Sequence, residues 1–164
     1  MSTTYLIAFN KDNALTKTKY YYKHILENKE KITDENAGVF FQDDLWPQEQ
    51  EIADTLFPQR KVYAIRSSLY LGYCLSDKKF DNGHYICKEG YYICKKEQLV
   101  WFINFLKKHT RRGEDILFWQ VNLGHPINYS KVSTVRMDVN DIVLPEDEFD
   151  FDWHIYQFVN TKGE

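Results

Sequence analysis

The period of the hydrophobic positions changes several times along the chain, and each change predicts an element of secondary structure. Residues 4–9 alternate as the residues of a strand do, and a helical period follows over 14–29. A short apolar run over 39–42 predicts a second strand. Pro47 suits the first turn of a helix, and the apolar positions behind it keep helical spacing as far as Pro58.

From Lys61 onward the period is two, which is typical of strands. One strand begins there and another covers 69–75, and the Asp-Asn-Gly sequence at 81–83 is a strong turn signal. Residues 84–88 and 91–95 nearly repeat each other on either side of a Glu-Gly pair. Two copies of five residues are too few for a repeat architecture, so they predict a hairpin or a strand that leads into a helix.

The most regular helical period lies near residue 100. Its apolar positions keep the spacing of one helix face and are Leu99, Phe102, Ile103 and Leu106. Basic residues follow at the negatively polarised end of this helix, and Gly113 can end it. Further strands are predicted over 115–123, 132–139 and 153–159.

About three helices among roughly eight short strands indicate an α+β fold with a mainly antiparallel sheet. The sequence lacks the regular strand–helix–strand alternation that a doubly wound fold requires. No linker divides it, so we expect residues 1–164 to form a single globular domain.

The composition agrees with a compact core, because 43% of the 164 residues are hydrophobic and 16% are aromatic, whereas disordered chains are poor in both. The three cysteines, an odd number in a chain that can build a core, indicate reduced thiols and a cytoplasmic location. The N-terminus has the character of a strand rather than of a signal peptide. No apolar run reaches the length of a membrane span, so we expect no membrane contact.

Charge is divided unevenly along the chain. Between Met137 and Gly163 there are seven carboxylates and one basic side chain, that of Lys162. The first 136 residues hold 20 Lys and Arg against 16 Asp and Glu, a net of +4, although the whole chain is −3. Charge asymmetry of this kind acts by steering a partner over long distances, so it indicates binding more than it indicates chemistry.

The acidic stretch also carries aromatic side chains, from Phe149 to Phe158. Aromatic anchors inside a charged rim are typical of protein interfaces. Strand alternation gives rings to both faces of the last predicted strand, because Trp153 shares one face with Ile155 while Tyr156 shares the other with Phe158. One face is therefore a candidate interface. The alternative is that the rings face the core while the acids face water.

The sequence does not display a recognisable catalytic or metal site. His84, Cys87 and Cys94 are the candidate zinc ligands, but six residues separate the cysteines where zinc sites use two to four. Residues 146–152 alternate acids in part as a calcium loop does, yet they lack its glycine. A Cys/His nucleophile depends on spatial proximity, which a sequence does not give. We predict no metal, no cofactor and no catalytic residue.

A basic segment offers a different function. Residues 78–112 hold nine Lys and Arg against three acids, a local net of +6, and Tyr85, Tyr91 and Tyr92 lie among them as possible stacking platforms for bases. The same charges also compensate the end of a helix. The sequence pI near 6.0 argues against a dedicated nucleic-acid binder.

The segment Phe149-Asp150-Phe151-Asp152-Trp153-His154-Ile155-Tyr156, set in a small, acidic and aromatic-rich chain, resembles bacterial immunity proteins of the contact-dependent growth-inhibition type. Those proteins protect bacteria from their own toxins, many of which are basic nucleases, and they often cover the toxin's active site. The resemblance is one of composition across the chain. It implies no role for any individual residue.

We therefore expect a cytoplasmic protein-binding module, an immunity protein that neutralises a basic, nuclease-like toxin domain. The predicted partner-binding residues are Glu146, Asp147, Glu148, Asp150, Phe151, Asp152, His154 and Tyr156. We expect a monomer or a weak homodimer. Two alternatives stay open: a small hydrolase or transferase with a His/carboxylate site, and a nucleic-acid-binding protein that uses residues 78–112.

Overall fold

The fold was obtained as a computed structural model, which describes residues 2–11, 41–65, 80–81, 84–86, 93–124, 126–141 and 154–162. The helix predicted over 14–29 and the strand predicted over 69–75 lie outside these ranges. The described strands are β1 (Ser2–Asn10), β2 (Phe41–Gln42), β3 (Arg60–Ile65), β4 (Phe80–Asp81), β5 (His84–Ile86), β6 (Ile93–Lys95), β7 (Asp115–Leu123), β8 (Ser133–Asp138) and β9 (His154–Val159). The described α-helices are α1 (Pro47–Leu56) and α2 (Lys96–His109), and a 3₁₀ turn covers Tyr129–Lys131.

Six of these strands form one sheet in the order β2-β3-β1-β7-β9-β8. Every neighbouring pair in this sheet is antiparallel except β8 and β9, which are parallel. The α+β class with a mainly antiparallel sheet is therefore confirmed, and the parallel pair makes the sheet mixed. Two of the predicted helices are present in the described ranges.

A second, antiparallel sheet has the order β4-β5-β6. Asp81 lies opposite His84, as the predicted turn at 81–83 requires. β5 and β6 form the predicted hairpin, and β6 leads directly into α2 at Lys96. The two structures predicted for residues 84–95, a hairpin and a strand that leads into a helix, therefore occur together.

Specific residues mark the start and the end of α1. Pro47 occupies its first turn, where the missing N–H costs nothing. Glu49 supports the start, because its Oε1 accepts a hydrogen bond of 2.8 Å from the backbone N–H of Trp46. Beyond the helix, Gln59 adopts a positive φ of 63°, and the chain turns into β3.

The face of the large sheet that α1 covers is aliphatic, apart from Trp119. Leu6 and Ala8 of β1 pack there against Ile52 and Ala53 of the helix. Val62, Ala64, Trp119, Val121 and Ile155 from the neighbouring strands complete this cluster. We call this side of the sheet the α1 face.

The opposite face of the sheet is aromatic and is covered by α2. Phe102 of α2 lies 5.0 Å from the ring of Phe118 on β7, and Phe105 stacks at 4.9 Å on Phe41 of β2. Phe158 on β9 also contacts Phe102, with ring centroids 6.1 Å apart. The described sheet thus lies between two helices, one on each face.

Polar side chains join the end of α2 to the ends of β8 and β9. Asn160 is buried, and its Nδ2 donates to the carbonyl oxygen of Thr110 at 3.1 Å. Its Oδ1 accepts a hydrogen bond of 2.9 Å from Asn140. Asp138 accepts a hydrogen bond from Thr161, and that bond is the main reason why the pKa of its carboxyl is lowered.

His109, the last residue of α2, lies against two aromatic rings. Its ring centroid is 4.4 Å from that of Phe105 and 6.4 Å from that of Phe9. Burial lowers the pKa of the imidazole from 6.5 to about 4, and the neighbouring charge of Lys108 acts in the same direction. The folded protein therefore holds this histidine neutral at pH 7.

We expect the free energy of unfolding to decrease as the pH is lowered from 6.5 to 4. In that window the unfolded chain binds a proton at position 109 that the folded chain does not bind. The contribution of His109 to the free energy of unfolding is therefore fully present above the unfolded pKa and is lost as the pH falls toward the folded pKa. The loss is about 1–2 kcal/mol after allowing for screening by the solvent that reaches the ring. Urea unfolding between pH 7 and 4.5 measures it.

His109→Gln should flatten this pH dependence. An unchanged slope in His109→Gln would contradict the assignment to this side chain.

Candidate functional site

Most of the predicted partner-binding segment lies outside the described residues. The structure describes residues up to Asp141 and again from His154. The predicted residues that fall between them are Glu146, Asp147, Glu148, Asp150, Phe151 and Asp152. Their role in binding stays a prediction.

The two predicted residues that the structure does describe lie on β9. His154 is its first residue and is half-buried. Tyr156 is only 3% exposed, and its ring stacks on that of Phe158 at 6.0 Å. The predicted division of β9 into two faces is confirmed, since Ile155 belongs to the α1 face while Phe158 packs on the α2 side.

Tyr156 consequently forms part of the core in this structure and does not offer its ring to a partner. The physical reason is that the sheet is covered on both faces, so the rings of both faces are used in packing. Binding by the acidic segment would depend on the residues before Tyr156.

A second acidic surface, which was not predicted from the sequence, lies on α1 and the loop before it. From Asp43 to Gln59 the chain has five acidic residues and no basic one. Four of these carboxylates are exposed, those of Asp43, Asp44, Glu51 and Asp54. With Trp46 they form what we call the α1 acidic surface.

Trp46 gives this surface an aromatic centre. Its side chain is 50% exposed, and it is the one large hydrophobic residue found exposed in the part of the chain that the structure describes. Exposed tryptophan is uncommon on a free protein surface and frequent at the centre of protein interfaces. The exposure of Trp46 is known only from the structure, whereas the run of acidic residues without a basic one is visible in the sequence.

A buried carboxylate supports the surface from below. Glu49 is 0% exposed, and its Oε2 accepts a hydrogen bond of 2.7 Å from the hydroxyl of Thr4 on β1. Its other oxygen binds the backbone of Trp46. The position in the first turn of α1 favours negative charge, because the helix dipole is positive there. Glu49 thus connects Trp46 to the central part of the sheet.

Two cavities of similar size lie on either side of α1. The first, of about 320 Å³, is lined by Gln48, Glu51, Gly124, Pro126, Ile127 and Tyr129. The second, of about 330 Å³, lies toward β3, and its charged lining residues are Asp43, Asp54, Arg60 and Lys61. In this second cavity the protein's own cations accompany the acids, and Lys61 Nζ lies 3.4 Å from Asp43 Oδ2.

The basic end of α2 lies on the other side of the sheet from the α1 acidic surface. Its exposed basic side chains are those of Lys107 and Lys108 on the helix and of Arg111 and Arg112 just after it. They are four of the nine basic residues in the 78–112 segment on which the nucleic-acid alternative depends. Because the sheet separates the two helices, this basic group does not neutralise the acids of α1.

The described residues contain no group of three or more His, Cys, Asp or Glu side chains that could hold a metal ion. Of the candidate zinc ligands, His84 lies in β5 and Cys94 in β6, while Cys87 lies outside the described residues. His125, a candidate histidine for the His/carboxylate site of the enzyme alternative, also lies outside them. None of the helices described here is long and apolar enough to cross a bilayer.

Comparison with protein-family models, with curated proteins and with solved structures finds no match to this chain. The candidate site consequently stands on its own geometry: an exposed tryptophan among carboxylates, held by a buried glutamate.

Proposed function

We propose that this chain is a protein-binding module, an immunity protein that neutralises a basic, nuclease-like toxin in the cytoplasm. The observation that supports the proposal best is the α1 acidic surface, in which Trp46 is 50% exposed and four carboxylates are exposed, of which that of Asp43 lies 3.4 Å from Lys61 Nζ. The predicted acidic segment from Glu146 to His154 is the second contact in this proposal.

The two kinds of side chain contribute to binding in different ways. Exposed carboxylates raise the rate of encounter with a cationic partner, and salt screens this effect. An aromatic side chain that becomes desolvated in the complex slows dissociation. Together they give the fast, tight association that neutralising a toxin requires, with a dissociation constant on the order of nanomolar or below.

The test begins with recovery of the basic partner by pull-down and mass spectrometry, followed by binding kinetics. Changing Asp43, Asp44, Glu51 and Asp54 to the corresponding amides should lower the on-rate about tenfold at low salt. The same change at Asp147, Glu148, Asp150 and Asp152 tests the other acidic segment. Trp46→Ala should act mainly on the off-rate, by about 30-fold.

The matched control neutralises four charges of the opposite sign on the other side of the sheet, at Lys107, Lys108, Arg111 and Arg112, and should not weaken the complex. If neither acidic set changes the affinity, the proposed surface is wrong. If mixed-sequence RNA or DNA binds with sub-micromolar affinity, with a straight line in log salt, and the control variant loses that binding, the nucleic-acid alternative replaces this proposal.

A further inference from the structure

The cavity of about 320 Å³ beside α1 is held open by contacts on both of its sides. Gln48 Oε1 accepts a hydrogen bond of 2.8 Å from the backbone N–H of Gly124, which joins the helix to the end of β7. Gly124 itself has a φ of 93°, a conformation that glycine adopts without strain. The cavity wall is therefore formed before any ligand arrives.

The opposite wall is a short turn that presents a phenol ring. Tyr129 begins the 3₁₀ turn, and the side chain of Asn128 caps it by accepting a hydrogen bond of 3.2 Å from the N–H of Ser130. Ile127 lies just before this turn in the sequence, and its side chain packs against the aliphatic cluster of the α1 face. The turn thus holds an aromatic and an aliphatic side chain at the cavity.

The lining of this cavity has the chemistry that recognises a guanidinium group. Among its described lining residues Glu51 is the one charged group, and it is negative. Guanidinium pairs with carboxylates through a planar fork of N–H donors and stacks on aromatic faces, while its methylene stem prefers apolar walls. Glu51, Tyr129 and Ile127 respectively offer these three contacts.

We propose that this cavity binds one arginine side chain of the basic partner, with Glu51 as its counter-charge and Tyr129 as its stacking surface. The inference rests on the proposed function and adds the chemical class of the anchoring residue. Arginine is also among the residues that contribute most to protein interfaces when they enter a pocket.

The charge of the lining residues distinguishes this cavity from its neighbour, and its size suits the proposed ligand. A volume of about 320 Å³ is at the lower end of the range for ligand sites, and it suits one side chain better than a folded element. The cavity on the other side of α1 is lined by Arg60 and Lys61 as well as by acids, so a further cation gains less there. Glu51 belongs both to the first cavity and to the α1 acidic surface.

The experiment uses the full chain and a probe that contains a single arginine, N-acetyl-arginine methylamide. Its neutral isostere, the citrulline derivative, is the matched control ligand. In NMR titrations we expect the arginine probe to shift the amide signals of Gly124 and Ile127 with millimolar affinity, and the citrulline probe to bind at least fivefold more weakly. Equal binding of the two probes would overturn the proposal.

The matched protein variants are Glu51→Gln and Asp54→Asn, each of which removes one exposed carboxylate from α1. Asp54→Asn is the control, because Asp54 does not line this cavity. Glu51→Gln should weaken the arginine probe about fivefold, and Asp54→Asn should leave it unchanged. Tyr129→Leu, which keeps an apolar wall, should also weaken it. Equal effects of Glu51→Gln and Asp54→Asn would show that only overall charge matters and would overturn the cavity assignment.

The recovered partner separates this inference from the proposed function. If the complex forms but its off-rate is the same in Glu51→Gln as in Asp54→Asn, the cavity is wrong and the proposed function stands. If the chain binds no basic protein, the proposed function fails, whereas selective binding of the arginine probe still supports the cavity.

Discussion

Replacing Phe118 by alanine is expected to lower the free energy of unfolding by about 4 kcal/mol, which is typical of a large aromatic removed from a core. Phe118 is 0% exposed and lies on β7, in the middle of the sheet. Its ring contacts Tyr5 of β1 at 5.7 Å and Phe102 of α2 at 5.0 Å. The substitution therefore leaves a void between the sheet and its covering helix.

Chemical denaturation measures this loss, and Trp46→Ala is the matched control. Trp46 is the larger ring, but half of it is exposed, so its removal should cost less than about 1 kcal/mol of stability. Phe118→Ala should therefore lower the free energy of unfolding more than Trp46→Ala does. Trp46→Ala should weaken binding of the partner more than it lowers stability. A small loss for Phe118→Ala would mean that the aromatic cluster is not the core.

The sequence was sufficient for the elements whose hydrophobic period is long and regular. The strand predicted over 115–123 is β7 with the same bounds, and the helix predicted from Pro47 is α1. Both carry enough apolar positions for the period to be read without knowledge of their neighbours. The parallel pairing of β8 with β9 could not be read in this way, because strand order depends on contacts between distant parts of the chain.

The candidate site also depends on features that a sequence alone does not determine. Charge is a property of the sequence, so the acidic run from Asp43 to Gln59 could have been read from it, although the acidic segment that was predicted, from Glu146 to Asp152, lies outside the described residues. Exposure is not a property of the sequence: Tyr156 and Trp46 have similar chemistry, yet one is 3% and the other 50% exposed. A ring on a strand face serves a core or an interface equally well until the covering helix is known.

Glu49→Ala is expected to be the second most damaging change, with a loss of about 3 kcal/mol in the free energy of unfolding. The substitution leaves two hydrogen-bond donors without their carboxylate, the hydroxyl of Thr4 and the backbone N–H of Trp46. The Thr4 hydroxyl is buried, and a buried donor that loses its acceptor costs about 1–3 kcal/mol, while loss of the part-buried bond from Trp46 adds to this cost. Removing the desolvated charge itself offsets part of this cost.

The conservative variant Glu49→Gln should lose only about 1 kcal/mol, because the amide oxygen can still accept from Trp46 while the Thr4 hydroxyl rotates to accept from the amide nitrogen. A double-mutant cycle with Thr4→Val isolates the contact between the two side chains. Once Thr4 has no hydroxyl to satisfy, Glu49→Ala should cost about 1 kcal/mol less than it does in the wild-type chain. Strict additivity of the two substitutions would mean that the 2.7 Å contact does not stabilise the fold and that α1 is held on β1 by packing alone.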